Sequence, residues 1–189
     1  LSAEGYDETG IFSMITNGGS SAMELMLLGV CGPASSNPIL FLDPTYTNYI
    51  DFANRLSISV VSVNRQIDDN GSFTSLNMNE IESIIIKENP RGLLFIPYDN
   101  PTGQFLSKKV ICDLAEIAVR NDIWLISDEA YRSLSYVGNE SSSIWALNES
   151  DVKGISGRRI SIESASKVWN ACGLRIGGLL TCLLYTSDA

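Results

Sequence analysis

Short apolar runs alternate with stretches of helical periodicity along most of the chain, and that alternation restricts the fold more than any other property. An apolar run of four to six residues is too short for a helix but suits a strand buried on both faces. A helix between two such strands is the usual way to join them in parallel. Strands are expected near Ile11 to Thr16, Ile39 to Leu42, Ile58 to Val63, Leu93 to Pro97, Ile123 to Ser127, Arg159 to Glu163 and Ile176 to Thr181. Helices are expected from Ser20 to Leu28, Tyr46 to Leu56, Asn79 to Lys87 and Ser107 to Asn121. The last has Leu114, Ile117 and Ala118 on one face and Ser107 as a candidate cap. The polar stretch from Asp68 to Ser75 is an expected exposed loop. These elements make an α/β domain on a seven-stranded, mostly parallel sheet.

At 189 residues the chain can bury one real core. With 44% hydrophobic and 19% charged residues it has a globular composition. A net charge of -9, with scattered Lys and Arg, argues against a nucleic-acid partner. No apolar run reaches membrane-spanning length, so no membrane partner is expected either. Cys31, Cys112, Cys172 and Cys182 are far apart, and the chain has no histidine. Common zinc sets and His-based triads are thereby excluded, no metal is expected, and the cysteines read as reduced thiols of a cytoplasmic protein. The start at Leu1 has neither an initiator Met nor the pattern of a signal peptide, and reads as the cut edge of a longer protein.

In open α/β sheets ligands bind beyond the carboxyl ends of the strands, so the residues following each strand carry the functional information. After the first come Asn17, Gly18, Gly19, Ser20 and Ser21, leading into a helix whose free N–H groups could cradle an anion; an ordinary turn has the same composition. After the second, Tyr46 follows Asp43-Pro44-Thr45 and could cover a flat ligand, or be a rim tyrosine. After the fourth, Pro101 and Gly103 fix a turn that presents Asn100. After the fifth comes Asp128-Glu129-Ala130-Tyr131. An acid there either caps a helix or, if buried, calls for a cationic partner. After the sixth, Ser164-Ala165-Ser166-Lys167 presents one lysine among small residues, with Arg175 eight residues on. Such a lysine suits imine formation, and the serines and arginine suit a phosphate, a pairing that points to pyridoxal 5'-phosphate (PLP). Ser-x-x-Lys also occurs in serine acylases, and a surface lysine would look the same.

Taken in order, Gly-Gly-Ser-Ser-Ala, Pro-Thr-Tyr, Asn-Pro-Thr-Gly, Asp-Glu-Ala-Tyr and Ser-Ala-Ser-Lys, each at an expected strand end, resemble the large domain of the class I and II aminotransferases, PLP enzymes of fold type I. The resemblance covers roughly Phe12 to Thr181 and implies a three-layer α/β/α arrangement. It implies that Lys167 would hold PLP as a Schiff base and then act as general base and acid. Asp128 would pair with the pyridine nitrogen, Asn100 and Tyr131 would hydrogen-bond the ring's phenolic oxygen, and Tyr46 would stack on its face. Gly18, Gly19, Ser20, Ser164, Ser166 and Arg175 would hold the phosphate. The implied activity moves an amino group between an amino acid and a 2-oxo acid in a homodimer.

The match has departures. Many members carry Asn-Pro-x where this chain has Pro97-Tyr98-Asp99. Residues 1–181 read as the PLP-binding large domain, incomplete at its N-terminus and without the family's small C-terminal domain. Residues 182–189 do not continue the pattern and read as a non-native tail of adapter read-through. Without the small domain and the arginine that the family carries in its C-terminal part, this piece by itself is expected to be inactive. Two other readings remain open: a PLP-dependent lyase, decarboxylase or synthase of the same fold, and a nucleotide-binding α/β domain using Gly18-Gly19 for a pyrophosphate, against which the absence of G-x-G-x-x-G weighs.

Overall fold

A computed structural model describes residues 1–134 and 142–182. In chain order the elements are β1 (Phe12–Asn17), α1 (Gly18–Cys31), β2 (Ile39–Asp43), α2 (Asn48–Arg55), β3 (Val60–Asn64), α3 (Met78–Glu88), β4 (Gly92–Phe95), α4 (Lys108–Arg120), β5 (Trp124–Asp128), β6 (Arg159–Ser164) and β7 (Ile176–Thr181). Among the described residues seven strands form one sheet in the order β1-β7-β6-β5-β4-β2-β3. The pairs from β6 through β3 are parallel, while β7 is antiparallel to both β1 and β6.

The central strands β2 and β4 are apolar on both faces because helices cover both faces there. Alternate residues of β2 separate cleanly: Leu40 and Leu42 pack with Ile81 and Ile85 of α3 and with Ile111 and Leu114 of α4. Ile39 and Phe41 pack with Met23, Met26 and Leu27 of α1 and with Tyr49 and Ala53 of α2. The expected face of α4 is the one it buries, with Leu114, Ile117 and Ala118 all inside. Its cap is Ser107, whose Oγ accepts from the Val110 amide at 3.4 Å, and Asn77 does the same for α3 by accepting from the Glu80 amide. The result is the expected three-layer α/β/α arrangement.

Two element boundaries differ from expectation where it matters. The first helix begins at Gly18, so both glycines lie in its first turn and not in a loop before it. The second begins at Asn48, because the Tyr46 carbonyl accepts from the Tyr49 amide in a tight turn that holds Tyr46 outside the helix. The proposed non-native tail lies outside the described residues except for Cys182.

Strand β7 starts at the edge where the parallel strands end and runs antiparallel away from it, so the whole connection from β6 stays at that edge. Gly177 pairs with Thr16 of β1 on one side and Ser164 of β6 on the other. A Cβ at position 177 would lie 2.4 Å from the Gly18 carbonyl carbon and 2.6 Å from the Gly19 nitrogen, inside van der Waals contact with backbone that cannot swing away. Gly177→Ala is therefore expected to destabilise the fold by about 1–3 kcal/mol, measured as a lower midpoint in denaturant. Gly173→Ala, where a Cβ would meet open space, should stay within about 0.5 kcal/mol of the wild type.

Candidate active site

One cavity of about 250 Å³ opens at the carboxyl edge of the sheet. Its wall includes Gly19 and Ser20 from the start of α1, Tyr46 ahead of α2, and Asn100 from the turn after β4. Asp128 and Tyr131 come from the end of β5, and Ser164, Ser166, Lys167 and Arg175 from the connection between β6 and β7. Gly18 stands behind that wall, in the left-handed region at φ 77°, where a Cβ would come within 2.4 Å of the Arg175 guanidinium. The absence of a side chain there lets the arginine lie against the helix start.

The connection between β6 and β7 is tied to itself. The Ala165 amide donates to the Ile176 carbonyl at 3.0 Å and the Ala171 amide to the Ala165 carbonyl at 3.1 Å. The Ser166 amide donates to Ser164 Oγ at 3.2 Å. Arg175 adopts a left-handed φ of 51° and donates from Nη1 to the Cys172 carbonyl at 3.2 Å. Lys167 is exposed, and its Nζ lies 5.7 Å from the centre of the Tyr131 ring. The expected shelter among small residues is thus incomplete in this chain. Asn100 Nδ2 donates to the Tyr131 hydroxyl at 3.5 Å, so two polar tips converge on one part of the cavity. Tyr46, on the rim, sets its ring edge-on to Tyr49 with centroids 5.4 Å apart.

Asp128 does not cap a helix. Its Oδ1 accepts from the Ala130 amide at 2.9 Å, and its Oδ2 accepts a short hydrogen bond from the Tyr49 hydroxyl. Burial holds the Asp128 carboxyl above the ordinary carboxylate range; the Tyr49 and Ala130 donors act the other way, and the charge of Glu163 adds to the rise. Tyr49 is fully buried, and burial, reinforced by the Asp128 charge, pushes its phenol well above its usual value, so it stays a donor. A strand-end search misses Tyr49 because it comes from inside a helix; its three-residue spacing from Tyr46 was the available signal.

Glu129 was also passed over. It turns to the opposite face of the sheet, where its Oε1 accepts from Ser127 Oγ at 2.8 Å, Ser143 Oγ at 3.1 Å and the Ile144 amide at 3.1 Å. Its buried Oε2 has no hydrogen-bond partner, and Arg132 Nη1 stands 3.8 Å from it while bonding Glu163 at 2.8 Å. Burial, with Glu163 adding to it, pushes the Glu129 carboxyl up to about 7. A folded-state value above the unfolded one means stability that is complete below about pH 4.5 and lost as pH rises through about 7. Glu129→Gln keeps an acceptor for the same three donors without an ionisable proton. It is expected to flatten that fall, worth about 3 kcal/mol, in denaturation series run across this pH range.

The family model for "Aminotransferase class I and II" matches residues 9–183. Aspartate aminotransferase of Sulfolobus acidocaldarius is 30% identical over 164 residues, which span 87% of this chain and 38% of that protein. The solved N-succinyldiaminopimelate aminotransferase from Mycobacterium tuberculosis superposes with a TM-score of 0.79 at 26% identity, covering 93% of this chain and 43% of that one. The fold is shared as well by a PLP-bound C-S lyase from Staphylococcus hominis, with a TM-score of 0.77 at 22% identity over 90% of this chain and 41% of that one. The chain thus spans about two fifths of the length of these proteins. A family match over most of the sequence, together with a cavity built from the strand ends that carry the family's motifs, makes this chain a member of the class I and II aminotransferases.

Proposed function

We propose that the protein carrying this sequence is a PLP-dependent aminotransferase acting on an amino acid and a 2-oxo acid. The observation that carries the reading is that Lys167 and Arg175 line the same cavity as Asp128, which lies far from both in sequence. The donor set fits PLP: one primary amine for an aldehyde, one carboxylate for a ring nitrogen, tyrosine rings for a flat ring, and a guanidinium with three serine hydroxyls for a phosphate. The close approach of Gly18 to Arg175 leaves the helix start free of side-chain bulk beside that guanidinium, which supports an anion there.

When bound, PLP supplies an electron sink for the pair left behind as the substrate loses its Cα proton. The chain's own residues do the rest. Lys167 presents the amine that would hold the cofactor and then take the proton from Cα and return it to the cofactor's carbon. Asp128 would keep the ring nitrogen protonated, and a cation beside it would in turn favour its ionised form, against the effect of burial. Tyr49 fixes the orientation of that carboxylate from below. Asn100 and Tyr131 would donate to the ring oxygen, and Tyr46 would cover one face. Ser20, Ser164, Ser166 and Arg175 would anchor the phosphate.

We further propose a homodimer. Trp169 and Leu174, exposed at 77% and 69% on the connection that bears Lys167, support a surface covered by another subunit.

With added PLP, a full-length protein is expected to give a visible absorbance band that Lys167→Ala abolishes, and the variant should lose about 10²–10⁴-fold or more in turnover. A band that persists in the variant would remove Lys167 from this role. With an amino acid and no oxo acid, accumulation of pyridoxamine phosphate supports amino transfer; its absence, with the substrate consumed, supports the lyase chemistry named for the Staphylococcus hominis protein.

A further inference from the structure

The departure Pro97-Tyr98-Asp99 has a counterpart elsewhere in the chain. Asp99 is buried, and its partner is Arg65, just past the end of β3; their side chains are 5% and 2% exposed and meet at 2.8 Å. Neither lines the cavity. The guanidinium spans two turns. On one side Nη1 reaches Asp99 Oδ2, Gln104 Oε1 at 3.3 Å and Thr102 Oγ1 at 3.4 Å. On the other, Nη2 donates to the Leu42 carbonyl at 3.1 Å and to the Pro44 carbonyl, and Nε to the Asp43 carbonyl at 3.4 Å. Asp99 in turn accepts from the Thr102 hydroxyl and, at 3.3 Å, from the Thr102 amide, closing its own turn. Phe73 lies beside the guanidinium with its ring centroid 5.7 Å from Cζ.

Each bridged turn delivers one cavity residue. Pro44 precedes Tyr46 by two positions, and Asp99 precedes Asn100 by one. We propose that Arg65 is a positioning residue: through its buried pair with Asp99 it locks the two turns together and so fixes Tyr46 and Asn100 against the cofactor. The inference rests on the PLP reading above. A planar fork with donors on both edges can hold two turns in register, whereas a lysine ammonium, a point charge on a flexible stem, cannot. The pair also explains how this chain accommodates an acid directly before Asn100: the charge is neutralised on the side away from the cavity.

The test is a titration of the full-length protein with PLP, alongside thermal unfolding of the PLP-free form, for Arg65→Lys, Asp99→Asn and the double variant Arg65→Met/Asp99→Leu. Each single variant leaves a buried group short of its partner and should lower the unfolding temperature. The double removes both charges and should recover much of it. The expected result is that all three weaken PLP binding tenfold or more, the double included, because an apolar pair restores packing without tethering the turns. PLP affinity within twofold of wild type in the double variant would overturn the proposal and leave the pair a structural one. If the double does not fold, Arg65→Lys decides by the same twofold criterion. If none folds, a crystal structure of the wild type with PLP decides: Asn100 and Tyr46 both touching the ring supports the proposal, and either one out of contact overturns it. Lys167→Ala serves as the separate control. An unchanged absorbance band there removes Lys167 from its role, and wild-type protein that gives no band with PLP rejects the PLP reading itself, while a wild-type band together with unweakened binding in the Arg65 and Asp99 variants rejects only the positioning role.

Discussion

The close approach of β7 to the first turn of α1 is the constraint on which the rest depends. Four parallel-strand ends would deliver glycines, a tyrosine, an asparagine and an aspartate to one edge of the sheet without it. The arginine stays there because the connection from β6 turns at that edge into β7, which starts beside Arg175 and runs away antiparallel between β1 and β6. Gly177 is the point of closest contact, and the backbone of Gly18 and Gly19 occupies the space a side chain would need. Helix start, strand and guanidinium form one packed unit, so the part of the cavity around Arg175 is built into the sheet and is not an appended loop.

Charge is handled differently on the two faces beyond β5. Asp128, facing the cavity, keeps one neutral donor from Tyr49 and one from its own turn, which leaves a carboxylate able to answer a cation. Glu129, one residue later, is enclosed on the far face and joined to the Ser143–Ile144 segment by three hydrogen bonds. Arg132 stands between Glu129, Glu163 and Glu4, so a single cation serves three acids from distant parts of the chain. Adjacent carboxyl groups thereby have separate places, one facing the cavity and one holding the strand end.

Most of the architecture was legible from the sequence because its strands are buried on both sides and therefore read as unbroken apolar runs, Ile39 to Leu42 and Leu93 to Pro97 among them. Caps such as Ser107 were legible for a local reason, since the residue and the amide it meets are three apart. The cavity residues were legible because a strand end is a position in sequence as well as in space. What escaped was long-range. Tyr49 lies seventy-nine residues from the carboxylate it orients, and Arg65 thirty-four from Asp99. Local sequence marks them weakly or not at all: Tyr49, on the buried face of a helix, has only its three-residue spacing from Tyr46, and Arg65 is an arginine after a strand. The exposure of Lys167 was missed for the related reason that small neighbours in sequence do not by themselves provide a roof.

The order in which the strands pair has a consequence for biogenesis. Among the described residues, Phe12–Asn17 sits at the border of the sheet with Ile176–Thr181 as its one strand neighbour, whose codons come near the end of the described chain. Throughout translation of everything between them, this early strand has no native strand partner, and Met14 and Ile15 stay largely uncovered even once it is docked. The border is therefore completed by a pairing between distant parts of the chain, the kind of contact whose loop-closure cost slows folding.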